Sequence, residues 1–386
     1  MRALLKRPLL PLASLLWGIQ FSFLSPSLAL ILVSLYGATP GAVGWTLAIY
    51  NTAGFVVALV VPAWADRRRE YLWPMLGAAV LTVLLAISLA VATSLPWATV
   101  ALIVFGAPAG VGVSLIFAQL AHGGATTVEL MNNRAVYSFA WVAGPPIATA
   151  LIGWFGDESI LYALAGVGLL SVGTSLALIR QDRRPATETP APVPSPPPAR
   201  HRLSRLRLAA IIVAFVLIQA TNSATTAVLV VFVGQGLGLP LLWAGLALSL
   251  AAALEIPVLV ALGRLSERFS LTTLMLFGCL AGLGYVVGMA FAREPWQILA
   301  LQVPNAIFVA VLSGIGMALF QHVIAGPGLA TGTFSNTRRV ANILTGPLIA
   351  LAGTSLGYSA VFLACAGLIT VGGVTIGIIG RRTSRT

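Results

Sequence analysis

Apolar runs long enough to cross a bilayer recur twelve times along this chain, at about 12–36, 41–64, 72–93, 96–121, 133–156, 159–180, 206–234, 241–263, 270–292, 296–322, 335–355 and 359–380. A membrane helix needs about 20 mainly apolar residues, and each run supplies them. Charged residues make up only 8% of the chain and the mean hydropathy is +0.97. A soluble domain carries about 25% charged residues, so this chain cannot clothe a globular surface. That excludes an ordinary cytosolic enzyme, a secreted disulfide scaffold and a disordered protein. The first run follows Met1-Arg2 and Lys6-Arg7 as a signal peptide would, but it is too long for one and is expected to stay as the first helix.

The runs fall into two groups of six. Between them, seven prolines crowd the stretch from Pro185 to Pro198. Such a stretch cannot form a membrane helix and reads as an extended linker. The expected domains are therefore residues 1–180, a linker at 181–205, and residues 206–386. The net charge of +12 could point to nucleic acid, but its placement argues for topology. With the N-terminus inside, every Lys and Arg except Arg293 falls on the cytoplasmic side. Positive charge marks cytoplasmic loops, so both termini are expected to be cytoplasmic in a multi-pass protein of the inner (plasma) membrane. The two cysteines, Cys279 and Cys365, sit in apolar runs and form no disulfide pattern.

An offset of about 202 residues superposes the two groups. Gln20 falls on Asn222, Asp66 near Glu267, Gly112 on Gly314, Gln119 on Gln321, and Gly144-Pro145 on Gly346-Pro347. Parallel repeats related by an axis along the membrane normal are a transporter plan, with the ligand site near the midplane. Two stacked bundles with no transport role would be the plainer alternative.

A few residues stand out against the apolar background. Glu255 lies well inside the eighth run, where an ionised carboxylate costs roughly 2.5–3.5 kcal/mol on insertion scales. It reads either as a proton carrier or as a structural carboxyl bonded to a neighbouring helix. Pro257 beside it removes a backbone donor and can bend that helix. Asp66 with Arg67, Arg68 and Arg69, and Glu267 with Arg264 and Arg268, close the second and eighth runs. They are either a pair of conformational latches or topology signals with a helix-end acid. Gln20, Asn222, Asn305 and Asn51 offer uncharged donors and acceptors that suit hydroxyl-rich ligands, or interhelical hydrogen bonds. Tyr137 and Trp141 offer ring faces on which a sugar could stack, or serve packing. Gly144-Pro145-Pro146 is a hinge or a close-packing seam in the fifth helix. Arg134 is a partner for an acid such as Glu255 or Asp66. No GxxxxGK[ST] loop occurs, and His122, His201 and His322 show no metal-ligand spacing. No catalytic cluster presents itself, so no enzyme activity, cofactor or metal is expected.

Twelve helices, two repeats and acid–arginine turns resemble the major facilitator superfamily. Asp66-Arg67-Arg68-Arg69 is similar to its loop signature, with Pro62 where the leading glycine stands and with the internal glycine missing. Gly263-Arg264-Leu265-Ser266-Glu267-Arg268 keeps the leading glycine, and Gly144-Pro145 resembles the fifth-helix signature of exporters. Within the superfamily, the bacterial sugar efflux transporters are resembled most closely. Arg134 with Ser138-Phe139-Ala140-Trp141-Val142-Ala143-Gly144-Pro145-Pro146 carries that likeness, as do Asn222-Ser223, Leu254-Glu255-Ile256-Pro257, Asn305-Ala306-Ile307-Phe308, Gly314-Ile315-Gly316-Met317, Phe320-Gln321 and Asn336-Thr337-x-Arg339-Val340. The resemblance implies an all-α fold of twelve transmembrane helices in two six-helix bundles. It also implies export of sugars or glycosides by proton antiport and alternating access. Helices one, four, seven and ten would line the cavity. Gln20, Asn222 and Asn305, with Tyr137 and Trp141, would contact the sugar, and Glu255 with Arg134 would couple protons. Asp66, Arg67, Glu267, Arg268 and Arg339 would form a cytoplasmic gate, and Gly144, Pro145, Pro146 and Pro257 the hinges. The partners are then a small sugar, protons and the lipid bilayer, with no nucleic acid, for a monomer. A multidrug/proton antiporter of the same fold is the nearest rival, and a non-transporting membrane receptor is a rival of another class.

Overall fold

The computed structural model describes residues 9–182, 204–240, 242–351 and 357–383. The proline-rich linker expected between the bundles lies mostly outside these residues. Among the described residues there are twelve helical stretches. They are α1 (Leu9–Tyr36), α2 (Pro40–Arg68), α3 (Leu72–Val91), α4 (Leu95–His122), α5 (Thr127–Phe155) and α6 (Ser159–Asp182), then α7 (Arg205–Val231), α8 (Leu242–Leu265), α9 (Leu271–Phe291), α10 (Pro295–Val323), α11 (Pro327–Ala350) and α12 (Gly357–Thr383). Nine of them are long and apolar enough to cross a membrane, by their described residues. The other three are α1, α5 and α11, of which α5 and α11 carry arginines well inside the helix.

Local chemistry sets the ends. Thr39 caps α2 by accepting from the Ala42 amide, with Pro40 in the first turn. Thr126 and Glu129 form a reciprocal capping box at the start of α5, and Glu294 with Gln297 does the same for α10. Ser270 caps α9. The end of α2 is less relaxed. Arg69 adopts φ 58°, and its amide reaches back to Ala65 and Asp66. Left-handed backbone favours glycine, so the missing internal glycine of this loop leaves an arginine in a glycine-like conformation.

Two helices begin earlier than their hydropathy suggests. The fifth apolar run starts at about 133, yet α5 starts at Thr127; the eleventh starts at about 335, yet α11 starts at Pro327. Arg134 is therefore seven residues into α5, and Arg338 and Arg339 are eleven and twelve residues into α11. All three were assigned to a cytoplasmic loop or helix edge by the sequence pattern. The physical reason is the Thr126–Glu129 capping box at α5, and at α11 the turn at Gly326 with the Asp66 carboxylate on the Gly328 and Leu329 amides.

The chain divides into two compact units. The first comprises Met1–Glu129, Val136–Arg200 and Ile324–Thr333; the second comprises Leu130–Ala135, His201–Val323 and Phe334–Thr386. In the first unit α6 packs on α3 and α1. Ile31, Leu32, Leu85 and Leu102 are fully buried in its core. A Cβ on Gly112 would lie 2.2 Å from the Trp17 ring, so this glycine seats the indole of α1 against α4. In the second unit α12 packs on α9 and α7, and α10 packs on α8 and α9. Phe215 and Phe320 meet edge to face with centroids 4.8 Å apart.

Two stretches wind wider than an α-helix inside the spans: Leu102–Gly106 in α4 and Val311–Ile315 in α10. A third, Phe232–Gly236, extends α7. Such π turns disturb the regular helix ladder and are frequent at functional sites.

Candidate functional site

Glu255 projects from α8 ten residues before its end at Leu265, or about 15 Å along the helix. It is half-buried, and the Ser313 hydroxyl of α10 donates to its Oε1 at 3.1 Å. Ser313 lies within the π turn Val311–Ile315, so the irregular turn presents the hydroxyl to the carboxyl. Gly314 follows it: a Cβ there would lie 2.5 Å from the Met131 sulfur and 2.8 Å from Leu259. Met131 belongs to the α5 segment Leu130–Ala135, which is part of the second unit, and half-buried Arg134 lies one turn further along. Two residues past Glu255, Pro257 sits inside α8 and removes the amide that would bond the Ala253 carbonyl. The arrangement therefore provides a carboxyl in the span, a hydroxyl donor fixed to it, and a helix locally short of one hydrogen bond.

Asp66 is engaged through both of its carboxylate oxygens. Its Oδ1 accepts from the Gly328 amide at 2.8 Å and from the Tyr71 hydroxyl, and its Oδ2 accepts from the Leu329 amide at 2.7 Å. These are free amides of the first turn of α11, where a helix dipole favours negative charge. Glycines permit the approach. A Cβ on Gly328 would lie 2.5 Å from the Pro62 carbonyl oxygen, and one on Gly332 would lie 2.1 Å from that of Ala58. Gly326, at φ 93°, turns the chain into the helix.

The arginines beside Asp66 do not take part in this contact. Arg67 is exposed, and Arg68 lies over the Trp64 ring at 5.1 Å. Glu267 and Arg268, the corresponding pair after α8, are exposed, and the Glu267 side chain has no hydrogen-bond partner among the described residues. Arg339 is half-buried in α11. Sequence patterning placed Asp66 and Glu267 in equivalent roles; only Asp66 is engaged with a helix terminus.

The amides expected to meet ligand differ in their surroundings. Gln20 is buried, donating to Ser171 at 2.5 Å and accepting from Thr82 at 3.0 Å, so it ties α1 to α6 and α3. Asn305 is buried and donates to Gln302 of its own helix at 2.8 Å. Asn222 is half-buried and its side chain has no partner among the described residues. Asn51 is exposed and bonds its own helix at Leu47. Tyr137 is buried and Trp141 half-buried. At Gly144 a Cβ would lie 2.5 Å from the Ser22 Cβ, and at Gly18 one would lie 2.6 Å from the Ala140 Cβ. These four positions form a tight seam between α1 and α5. The backbone of α5 stays helical through 145–146; the side chains of Pro145 and Pro146 lie outside the described residues. Among the described residues no cluster of His, Cys, Asp and Glu comes together to hold a metal.

Sequence reasoning missed Ser313, Tyr71 and the Gly326-Pro327-Gly328 start of α11. Nothing local marks Ser313. The glycine–proline–glycine run was legible, since proline at the first helical position is a helix-start signal.

Among the described residues, twelve helical stretches, nine of them long and apolar enough to cross a membrane, and a carboxyl within one of the nine define a polytopic, all-α architecture. The sequence pattern of the Major Facilitator Superfamily matches residues 132–326. Among solved structures, a bacterial homologue of the iron transporter ferroportin superposes with a TM-score of 0.72 at 15% identity, covering 97% of this chain and 99% of its own. At that identity the likeness speaks for the fold. Sugar efflux transporter B of Salmonella typhimurium is 29% identical over 361 residues, covering 91% of this chain and 90% of the relative. A relative from Deinococcus radiodurans is 30% identical over 373 residues, covering 93% of this chain and 94% of its own. The chain belongs to the Major Facilitator Superfamily and, within it, to the bacterial sugar efflux transporter family. It is a multi-pass membrane transporter and not an enzyme.

Proposed function

We propose that this protein exports sugars or glycosides across the inner membrane in exchange for protons, by alternating access. The observation that carries the coupling is the half-buried Glu255 carboxyl of the apolar helix α8, held by the Ser313 hydroxyl of α10. A carboxyl in a membrane span is a functional group by default, because it is costly there. Glu255 carries the proton, and Ser313 keeps the carboxyl oriented as it loads and unloads. Arg134, on the α5 segment that reaches Gly314, tunes it. Asp66, bonded to the first turn of α11, is the cytoplasmic latch, and its release accompanies the switch between states. Arg67, Glu267, Arg268 and Arg339 complete the cytoplasmic gate. Sugar as the cargo is supported by relatives named as sugar efflux transporters, which align with this chain along about nine-tenths of their own length. Both termini face the cytoplasm, as the basic residues argue, and the monomer is the working unit.

Inverted membrane vesicles energised to be acid inside provide the test, with labelled glucose, sucrose, lactose and methyl glucoside as the panel. Uptake above control membranes that collapses with an uncoupler is the expected result. Accumulation of lipophilic dyes and no sugar would replace the sugar reading with the multidrug one. Ligand binding without movement of any solute would favour a receptor.

A further inference from the structure

We infer that Asn342 on α11, with Ser223 and Asn222 on α7, forms a water-facing subsite that holds a pair of ring hydroxyls of the exported sugar. The inference rests on the sugar-export reading and assigns part of its binding surface to a helix that the sequence pattern left without a ligand role.

The Ser223 hydroxyl donates to Asn342 Oδ1 at 2.7 Å, joining α7 to α11 inside the second unit. Neither residue is near a helix end. Ser223 is followed by α7 as far as Val231, and Asn342 by α11 as far as Ala350. Asn342 lies fifteen residues past Pro327, about 22 Å along a helix of 24 residues that is about 36 Å long, enough to cross a hydrocarbon core about 30 Å thick. Yet Asn342 is exposed. One turn earlier on the same face, Arg338 is exposed as well. Polar and charged side chains in a span face protein or a water-filled cavity, because lipid cannot satisfy them. The outer face of α9 shows what lipid exposure looks like in this unit: Phe277, Leu280, Val287 and Phe291 are exposed and all apolar. The α11 face is different in kind.

The bond from Ser223 fixes the Asn342 rotamer. It occupies the oxygen and leaves the NH2 group as two donors pointing away from Ser223. Asn222, next to Ser223 and half-buried, adds a carbonyl acceptor and a further NH2 with no partner among the described residues. Donors from one amide and a donor–acceptor pair from another match adjacent hydroxyls, each of which both donates and accepts. A site of this kind rejects analogues that lack the hydroxyl much more strongly than it separates sugars by size.

The experiment uses the full-length protein in permeabilised vesicles. Its native thiols, Cys279 and Cys365, are buried and give a quiet background. Asn342→Cys and Ser223→Cys are compared with Leu280→Cys on the apolar face of α9, using a permanently charged, membrane-impermeant methanethiosulfonate. Thiolate forms only where water reaches. Both subsite cysteines should therefore react at least about tenfold faster than Leu280→Cys. The panel sugar that wild-type vesicles accumulate should slow them severalfold, while a deoxy analogue should not. Asn342→Ala should raise the KM for that sugar with little change in expression. Reaction no faster than at Leu280→Cys, for either cysteine, would overturn the subsite even if sugar export stands. Fast reaction unaffected by a saturating concentration of a sugar that the cysteine variant itself still carries would overturn it too, leaving the exporter reading intact. Wild-type vesicles that carry no panel sugar would remove both.

Discussion

Gln20 and Asn222 are equivalent by repeat and different by environment. The Gln20 amide is spent on Ser171 and Thr82, three helices meeting at one buried group. Gln20→Ala would take the amide donor from the buried Ser171 hydroxyl and leave the Thr82 hydroxyl only the Ala78 carbonyl, at about 1–3 kcal/mol. The expected result is a lower thermal midpoint in detergent with the KM for sugar unchanged; a raised KM at normal stability would instead put Gln20 in the binding site. Glu255→Gln keeps an oxygen for Ser313 to bond but cannot carry a proton. Uphill export should be lost while downhill flux of the same sugar persists, measured in vesicles with and without a pH gradient. Unchanged uphill export would remove Glu255 from coupling. At Arg69 the backbone already has the conformation that glycine prefers. The left-handed penalty of about 1–2 kcal/mol for an L-residue is partly offset by the greater chain entropy that glycine loses on folding. Arg69→Gly should therefore leave thermal stability unchanged or raise it by up to about 1 kcal/mol, an unusual outcome for removing a charged side chain.

Among the elements, α5 and α11 are the pair whose starts hydropathy misplaced. Thr126-x-x-Glu129 is a capping box written in the sequence, and reading it would have put the start of α5 at Thr127. The start of α11 depends on Asp66, 262 residues away, and only the Gly-Pro-Gly run hinted at it. Asp66→Ala leaves the Gly328 and Leu329 amides without their carboxylate. A charge at a helix N-terminus is worth about 0.3–1 kcal/mol when exposed and up to about 2 kcal/mol when partly buried. The expected effect is a loss in that range in thermal unfolding, with a changed export rate; Asp66→Asn, which retains an acceptor, should fall between the two. The seam of α1 and α5 tolerates no added bulk, because the Gly144 Cβ position lies within 2.5 Å of the Ser22 Cβ and no rotamer relieves it. Gly144→Val should destabilise by about 1–3 kcal/mol through overpacking, read as reduced folded yield and a lower midpoint.

For the whole molecule, the architecture was legible because apolar runs of bilayer length are unambiguous and twelve of them admit few folds. Family segments such as Leu254-Glu255-Ile256-Pro257 lay in plain view for the same reason. The details of the site were not. The π turn that aims Ser313 has no local signature, since it reflects how α10 packs on α8 and α9. Whether an amide is tied up, as at Gln20, or open, as at Asn222, depends on residues of other helices that share no pattern with it. Arg338 reads from hydropathy as lying near the start of its helix, whereas the start of α11 at Pro327 puts it eleven residues in.

The composition of the first unit has a consequence for how the chain can be cut. Ten residues from the far side of the proline-rich linker, Ile324–Thr333, are part of that unit, and they bring the Asp66 partners with them. A gene divided in the linker would therefore yield a front piece missing a portion of its own interior. The rear piece carries the plug for that gap. Co-expressed as separate polypeptides, the two should reassemble through noncovalent complementation, and Asp66→Ala should weaken that reassembly while leaving the intact chain in one piece.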